Sequence, residues 1–167
     1  MKHFNPADAY CLPAGILGVH PDEFYGAVGR IVCVCAVLED KVTTLRHTLA
    51  NAEQGEFTHQ PVSTQIDVAE RLAEALPELE RRKVRDFLTA VRAAFQHRND
   101  LVHSSFPAQA DGRIWGHRPT RNKSITDGTA DTVETTLDDL RGFVVQLADL
   151  VNSFNQVHAV ASVHRKL

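Results

Sequence analysis

Apolar residues recur alternately every three and four positions along three long stretches of this chain, and that spacing restricts it to helices packed side against side. The first stretch holds Phe24, Val28, Ile31, Cys35, Leu38, Val42, Leu45 and Leu49. The second reads Val84, Leu88, Val91, Phe95, Arg98, Val102, and the third Leu137, Leu140, Val144, Leu147, Val151, Phe154, His158. A period of about three and a half residues keeps one stripe of a helix turned toward a neighbour, which favours shallow crossing angles. A shorter stripe of Val62, Ile66, Ala69 and Leu72 predicts a further helix over 63–76.

Local signals place the boundaries. Pro21 suits a first helical turn, and Asp22 and Glu23 beside it favour the positive end of the helix dipole. That helix is expected to end near Gly55. Pro77 either ends the second helix, kinks it, or opens the next, which should run over 78–104. Thr136 is an expected N-cap for the last helix, with Asp138 and Asp139 in its first turn. Residues 1–20, with Pro13, Gly15 and Gly18, read as an irregular arm. Residues 105–130, with Pro107, Gly112, Gly116, Pro119 and Gly128, read as a loop with a short hairpin. In that hairpin Arg113-Ile114-Trp115 would pair with residues near 124–126, and 133–135 could add to it. No repeat or linker divides residues 1–167. The expected fold is one all-α domain, an up-and-down bundle of four to five helices with a loop or hairpin excursion before the last.

Composition narrows the function classes. Only 7% of residues are aromatic against 43% hydrophobic, so Ala, Val and Leu must fill most of the core. No run of about 18 apolar residues offers a membrane span, and the N-terminal segment lacks the apolar stretch of a secretory signal. Three cysteines (Cys11, Cys33, Cys35) are an odd count that argues against a disulfide framework and for a reducing cytoplasm. Cys33 and Cys35 would face opposite sides of a helix, unable to share a metal, each packing as a small hydrophobe. The histidines are scattered, and neither a phosphate-cradling glycine loop nor a GxSxG elbow is present, so no metal or cofactor is expected. A net charge of −3 and a pI near 6.3 are not those of a globally basic nucleic-acid binder. Any RNA contact would be local, and residues 113–123 supply Arg113, Arg118, Arg121 and Lys123 without an acid.

One position breaks the apolar pattern in a way that matters chemically. Arg98 occupies a slot in the second long seam that the spacing reserves for an apolar side chain. A guanidinium there costs several kcal/mol unless it is paired or reaches water. Three resolutions are open: an acid on another helix, an escape to the bundle edge, or a polar groove that needs a cation. Asn99 and His103 lie one helical turn apart on nearly one face, beside Arg98. A cation beside an imidazole suits cleavage of RNA by its own 2′-hydroxyl. That reaction needs a proton acceptor or donor near neutral pH and positive charge for the phosphorane-like transition state. Arg98 can grip two non-bridging oxygens, His103 can move the proton, and Asn99 can orient His103 or donate to the phosphate.

The segment 98–104, RNDLVHS, resembles the signature of the HEPN superfamily (higher eukaryotes and prokaryotes nucleotide-binding): an Arg, a polar residue such as Asn, and a His after a short spacer. Arg98, Asn99 and His103 fill those places, late in a long helix of a small helical domain. The likeness covers most of 22–160, leaving 1–20 and 105–130 unexplained. It implies a metal-independent endoribonuclease, of a kind often serving as a toxin or anti-phage effector. Such proteins work as homodimers whose paired motif helices form one cleft, and an antitoxin protein is then an expected partner. Other members of the superfamily bind nucleotides, RNA or proteins without turnover, which is the alternative reading. Under the first reading Trp115, flanked by Arg113 and Arg118, would stack a base at the cleft edge; otherwise it anchors the loop onto the bundle. A purely structural bundle would instead satisfy Arg98 with an acid in the same chain.

Overall fold

The computed structural model describes residues 20–51, 60–106, 114–119 and 130–163. Among these residues there are four helices: α1 (Asp22–Ala50), α2 (Val62–Ala73), α3 (Glu78–Val102) and α4 (Leu137–Val163). One two-stranded antiparallel sheet, β1 (Ile114–Pro119) with β2 (Ala130–Thr135), stands between α3 and α4 in the chain. The 1–20 arm lies outside the described residues except for His20. None of the described helices is long and apolar enough to cross a membrane.

The boundaries have identifiable causes. Pro21 and Pro77 each stand at the N-cap with extended backbone, where a missing N–H costs nothing. Pro77 therefore opens α3, and α2 has already ended in the turn that follows Ala73. Asn51 ends α1 four residues before the expected Gly55. Its backbone enters the left-handed region at φ 52°, which its short amide side chain tolerates, and its N–H caps the carbonyls of His47 and Thr48. At the head of α4, Thr136 and Asp139 cap reciprocally. The Asp139 N–H donates to Thr136 Oγ1 at 3.1 Å and the Thr136 N–H donates to Asp139 Oδ2 at 2.9 Å.

The first seam is buried throughout α1, fully from Ile31 to Leu45 apart from its polar side, with Val28 and Leu49 half-buried. All four helices contribute to one core, and α1 packs most extensively against α4. Phe24 meets Phe106 beyond the end of α3, while His97 meets Phe143 and Phe87 meets Phe154. α1 and α3 thus run in opposite senses, as do α3 and α4. Glu23 pairs with Arg141 and Thr48 with His158, so α1 and α4 run in the same sense. The three long helices alternate, and the short α2 is carried on the side of α1 and α3. Gln65 ties it there, accepting from Thr43 Oγ1 at 2.7 Å and donating to the Gln60 carbonyl at 3.0 Å.

The partner of β1 is 130–135, which includes the expected 133–135, while 124–126 lie outside the described residues; the register runs from Ile114 opposite Thr135 to Pro119 opposite Ala130. The later segment is the better strand because Val133 and Thr135 bring β-branched side chains to the face shared with Ile114. Cys33 is exposed, so only Cys35 packs as a hydrophobe. The two do face opposite ways.

Candidate functional site

α3 is amphipathic up to its last turn, where the seam opens. Val84, Leu88, Val91 and Phe95 are buried as the spacing predicts, but Arg98 is only half-buried and Val102 is 38% exposed. Leu101 is buried in Val102's stead, so the apolar stripe turns aside by one residue as the helix ends. Leu101 continues a buried row, Phe87 and Ala94 before it, spaced seven residues apart along the helix.

Arg98 is held at this opening. Its Nη1 donates to Asn99 Oδ1 at 2.9 Å. Its Nε is buried without a hydrogen-bond partner among the described residues. It makes no ion pair with any described carboxylate. Cys35 of α1 lies close enough to feel its charge. Burial pushes the Cys35 thiol up to about 11, the Arg98 charge acting in the opposite direction and Glu39 reinforcing the rise. The neighbouring helix therefore presents a neutral thiol within electrostatic reach of the guanidinium.

His103 stands at the C-cap of α3, its backbone at φ −99° and ψ 6°, its N–H donating to the Asn99 carbonyl at 3.0 Å. Its side chain is exposed. Arg98, Asn99 and His103 thus occupy the final turn together, with the cation half-sunk and the imidazole in solvent.

The hairpin comes to this same end of the helix. Directly after His103 the chain forms an isolated bridge, in which Ser105 and His117 exchange two backbone hydrogen bonds of 2.9 Å. Phe106 packs inward against Phe24, its ring centroids 5.4 Å apart, and its carbonyl accepts from His20 Nε2 at 2.8 Å. Gly116 permits the approach: a Cβ there would stand 2.8 Å from the Phe106 ring and 3.0 Å from Ser104 Cβ. Arg118 forms an ion pair with Asp100, clamping the strand to the motif helix.

Of the residues expected to touch RNA, Arg113, Arg121 and Lys123 lie outside the described residues. Arg118 is beside the motif, but its charge is met by Asp100. Trp115 is half-buried and does not point into the bundle. Ile114 and Gly116 take the inward face of β1, leaving Trp115 on the outer face with His117, edge-on at 4.3 Å between ring centroids. The reading of Trp115 as an anchor onto the bundle is set aside by that alternation.

Sequence reasoning missed several members of this neighbourhood. Asp100 carries no signal of its own in the sequence, yet it is what fastens Arg118. Ser105, Phe106 and Gly116 carry no signal until the bridge is known. Elsewhere Arg46 is buried on α1, donating to Gln60 Oε1 at 3.0 Å, and burial lowers its pKa. An open cleft of about 590 Å³ between α2 and α3 is lined by Thr64, Asp67, Glu70, Arg71, Glu74 and Arg85, and none of the three motif residues borders it. Compared with protein-family models, with curated proteins and with solved structures, the chain matches none of them. Function must therefore be argued from the site.

Proposed function

We propose that this chain is a metal-independent endoribonuclease of the HEPN type, with Arg98 and His103 catalytic and Asn99 supporting. The observation that carries the reading is the state of Arg98. A permanent cation sits on an apolar seam, bound to one neutral amide, with a buried Nε left over and an exposed imidazole five residues further on. Such a group is incompletely satisfied by its own chain, and a phosphate would satisfy it. Two non-bridging oxygens match the guanidinium fork, and charge gathering on them in the transition state strengthens the contact. His103 would then take the 2′-hydroxyl proton or protonate the departing 5′-oxygen. Asn99 is already turned to Arg98 and holds it for the phosphate.

The reading brings its setting with it. An up-and-down HEPN bundle acts as a homodimer, and two copies of the motif helix would line one cleft whose local positive charge attracts RNA despite the net charge of −3. A toxin or anti-phage role, an antitoxin partner and a cytoplasmic location follow from the same proposal. The alternative is a non-catalytic module for nucleotide, RNA or protein. The Asp100–Arg118 pair favours it, because that contact removes a positive charge from the RNA-facing side.

The test is incubation of the purified protein with bulk RNA in EDTA beside Arg98→Ala and His103→Ala. Cleavage by the parent and loss of at least about 10²-fold in each variant is expected. Equal, intact RNA in all three lanes, together with thermal stabilisation by RNA or nucleotide, would move the assignment to the binding module.

A further inference from the structure

We infer that the site contains a second proton-transferring imidazole, His117, delivered to the motif by the hairpin; this rests on the ribonuclease reading and adds to it. Transesterification at phosphorus requires two proton transfers. As the 2′-oxygen bonds to phosphorus its proton passes to a base, and as the bond from phosphorus to the 5′-oxygen breaks that oxygen takes a proton from an acid. The products are a 2′,3′-cyclic phosphate and a 5′-hydroxyl, and the two groups exchange protons with water to reset. A single imidazole performs one of these transfers at a time, so the other falls either to the His103 of a second copy in the dimeric cleft or to another residue of the same chain.

The chain provides one by its own pairing. Ser105 and His117 exchange both backbone hydrogen bonds at 2.9 Å, which sets their Cα atoms about 5.5 Å apart. His103 lies two residues before Ser105, so its Cα is within about 13 Å of that of His117. Two imidazoles projecting from such a span can reach opposite sides of one phosphate. Their orientation agrees. Phe106, Ile114 and Gly116 take the inward side of this small sheet, while Ser105, His117 and the His103 side chain are all exposed. The register is held by features that have no other evident purpose: the glycine that admits Phe106, and the Arg118–Asp100 pair one residue from His117. Trp115 braces the ring edge-on at 4.3 Å. The charged and titratable described groups around His117 are His103 and Asp100 from α3, Arg118 on its own strand, and Glu134 from β2, which stands opposite Trp115.

His117→Ala and His117→Gln keep the backbone bridge, and His103→Ala serves as the reference. Cleavage of a single-stranded oligoribonucleotide is measured across pH, in parallel with an oligonucleotide whose scissile 5′-oxygen is replaced by sulfur. A thiolate leaves without a proton, so loss of the acid, but not of the base, is rescued by sulfur. The parent is expected to show a bell-shaped profile. Each His117 variant should lose at least about 10²-fold and one limb of that bell, His103→Ala should lose the other limb, and sulfur should rescue only one of the two positions. If His117 variants cleave within a factor of three of the parent with an unchanged profile while His103→Ala is inactive, the inference is overturned and the ribonuclease reading stands. If the parent cleaves neither substrate, both fall. A His117 variant slowed equally at every pH, with the bell intact, would mark a structural residue and also overturn it.

Discussion

The arginines at the two ends of α3 are treated in opposite ways. Toward the start and middle, Arg81, Arg85 and Arg92 lie on the solvent side, and each is met by carboxylates of α2, of Glu74 just past its end, or of its own helix. Arg81 meets Glu74 and Glu78, Arg85 meets Glu74, and Arg92 meets Asp67 at 2.7 Å and Glu70 at 2.9 Å. At the last turn Arg98 sits on the seam itself, and its partner is one neutral amide. The chain therefore has acids to spare for arginines that hardly need them, since exposed pairs are worth roughly 0–1 kcal/mol. It leaves none for the arginine whose burial makes a partner matter. The Asp67 and Glu70 contacts raise the Arg92 pKa above its ordinary value. The contrast teaches that neutralisation is a local choice on this helix: its terminal turn leaves Arg98 with one neutral partner and a buried Nε without any among the described residues.

The sharpest break of that contrast is in activity. Arg98→Ala should lower RNA cleavage by about 10²-fold or more, whereas Arg92→Ala should leave it within a factor of two. A gel-based cleavage assay on both variants decides, and equal losses would erase the distinction between the two ends. Next in size is the hairpin that encloses the motif end. Gly116→Val must displace the Phe106 ring or the strand, and a loss of about 1–3 kcal/mol is expected in urea unfolding, with cleavage reduced beyond the change in stability. The same substitution at exposed Gly29, where a Cβ meets nothing, should cost far less.

A smaller and opposite effect tests the seam directly. Arg98→Met restores the apolar pattern, and it should hold or raise stability by about 1 kcal/mol while abolishing cleavage, since a poorly paired cation is replaced by a packed side chain. Arg92→Met should do neither. The smallest effect belongs to the cap of α4. Hydrogen bonds from the Thr136 hydroxyl, then from its backbone N–H, hold the Asp139 carboxyl below its ordinary value of 3.8, with His97 a lesser cause. A lowered carboxyl pKa stabilises the fold above the ordinary value and ceases to do so as pH falls through the folded one. Thr136→Ala should thus lower the melting temperature by a few degrees near neutrality, and the gap from the parent should narrow below about pH 4.

The helices and their inward faces were readable because burial along a helix repeats with its own pitch. The α1 stripe from Phe24 to Leu45 is where the spacing put it, and Thr136 caps where a Thr before two acids should. The strand pairing was readable only in part: 133–135 was expected to join the hairpin, but the register depends on which residues meet the inward side of Ile114, and no local signal sets that. Arg98, Asn99 and His103 stood out in the chain because a charge on an apolar stripe is a local contradiction. The surroundings of that turn did not, because Gly116, Ser105 and His117 become its neighbours through one bridge and one ring contact.

What the order of residues determined by itself was a set of amphipathic helices and one misplaced cation, since periodicity and charge are properties of neighbours in sequence. What only the tertiary structure decided was that Asp100 faces Arg118 rather than Arg98, that Trp115 turns outward, and that the hairpin brings His117 to the end of α3. Those outcomes depend on contacts between segments far apart in the chain, for which local propensity carries no term.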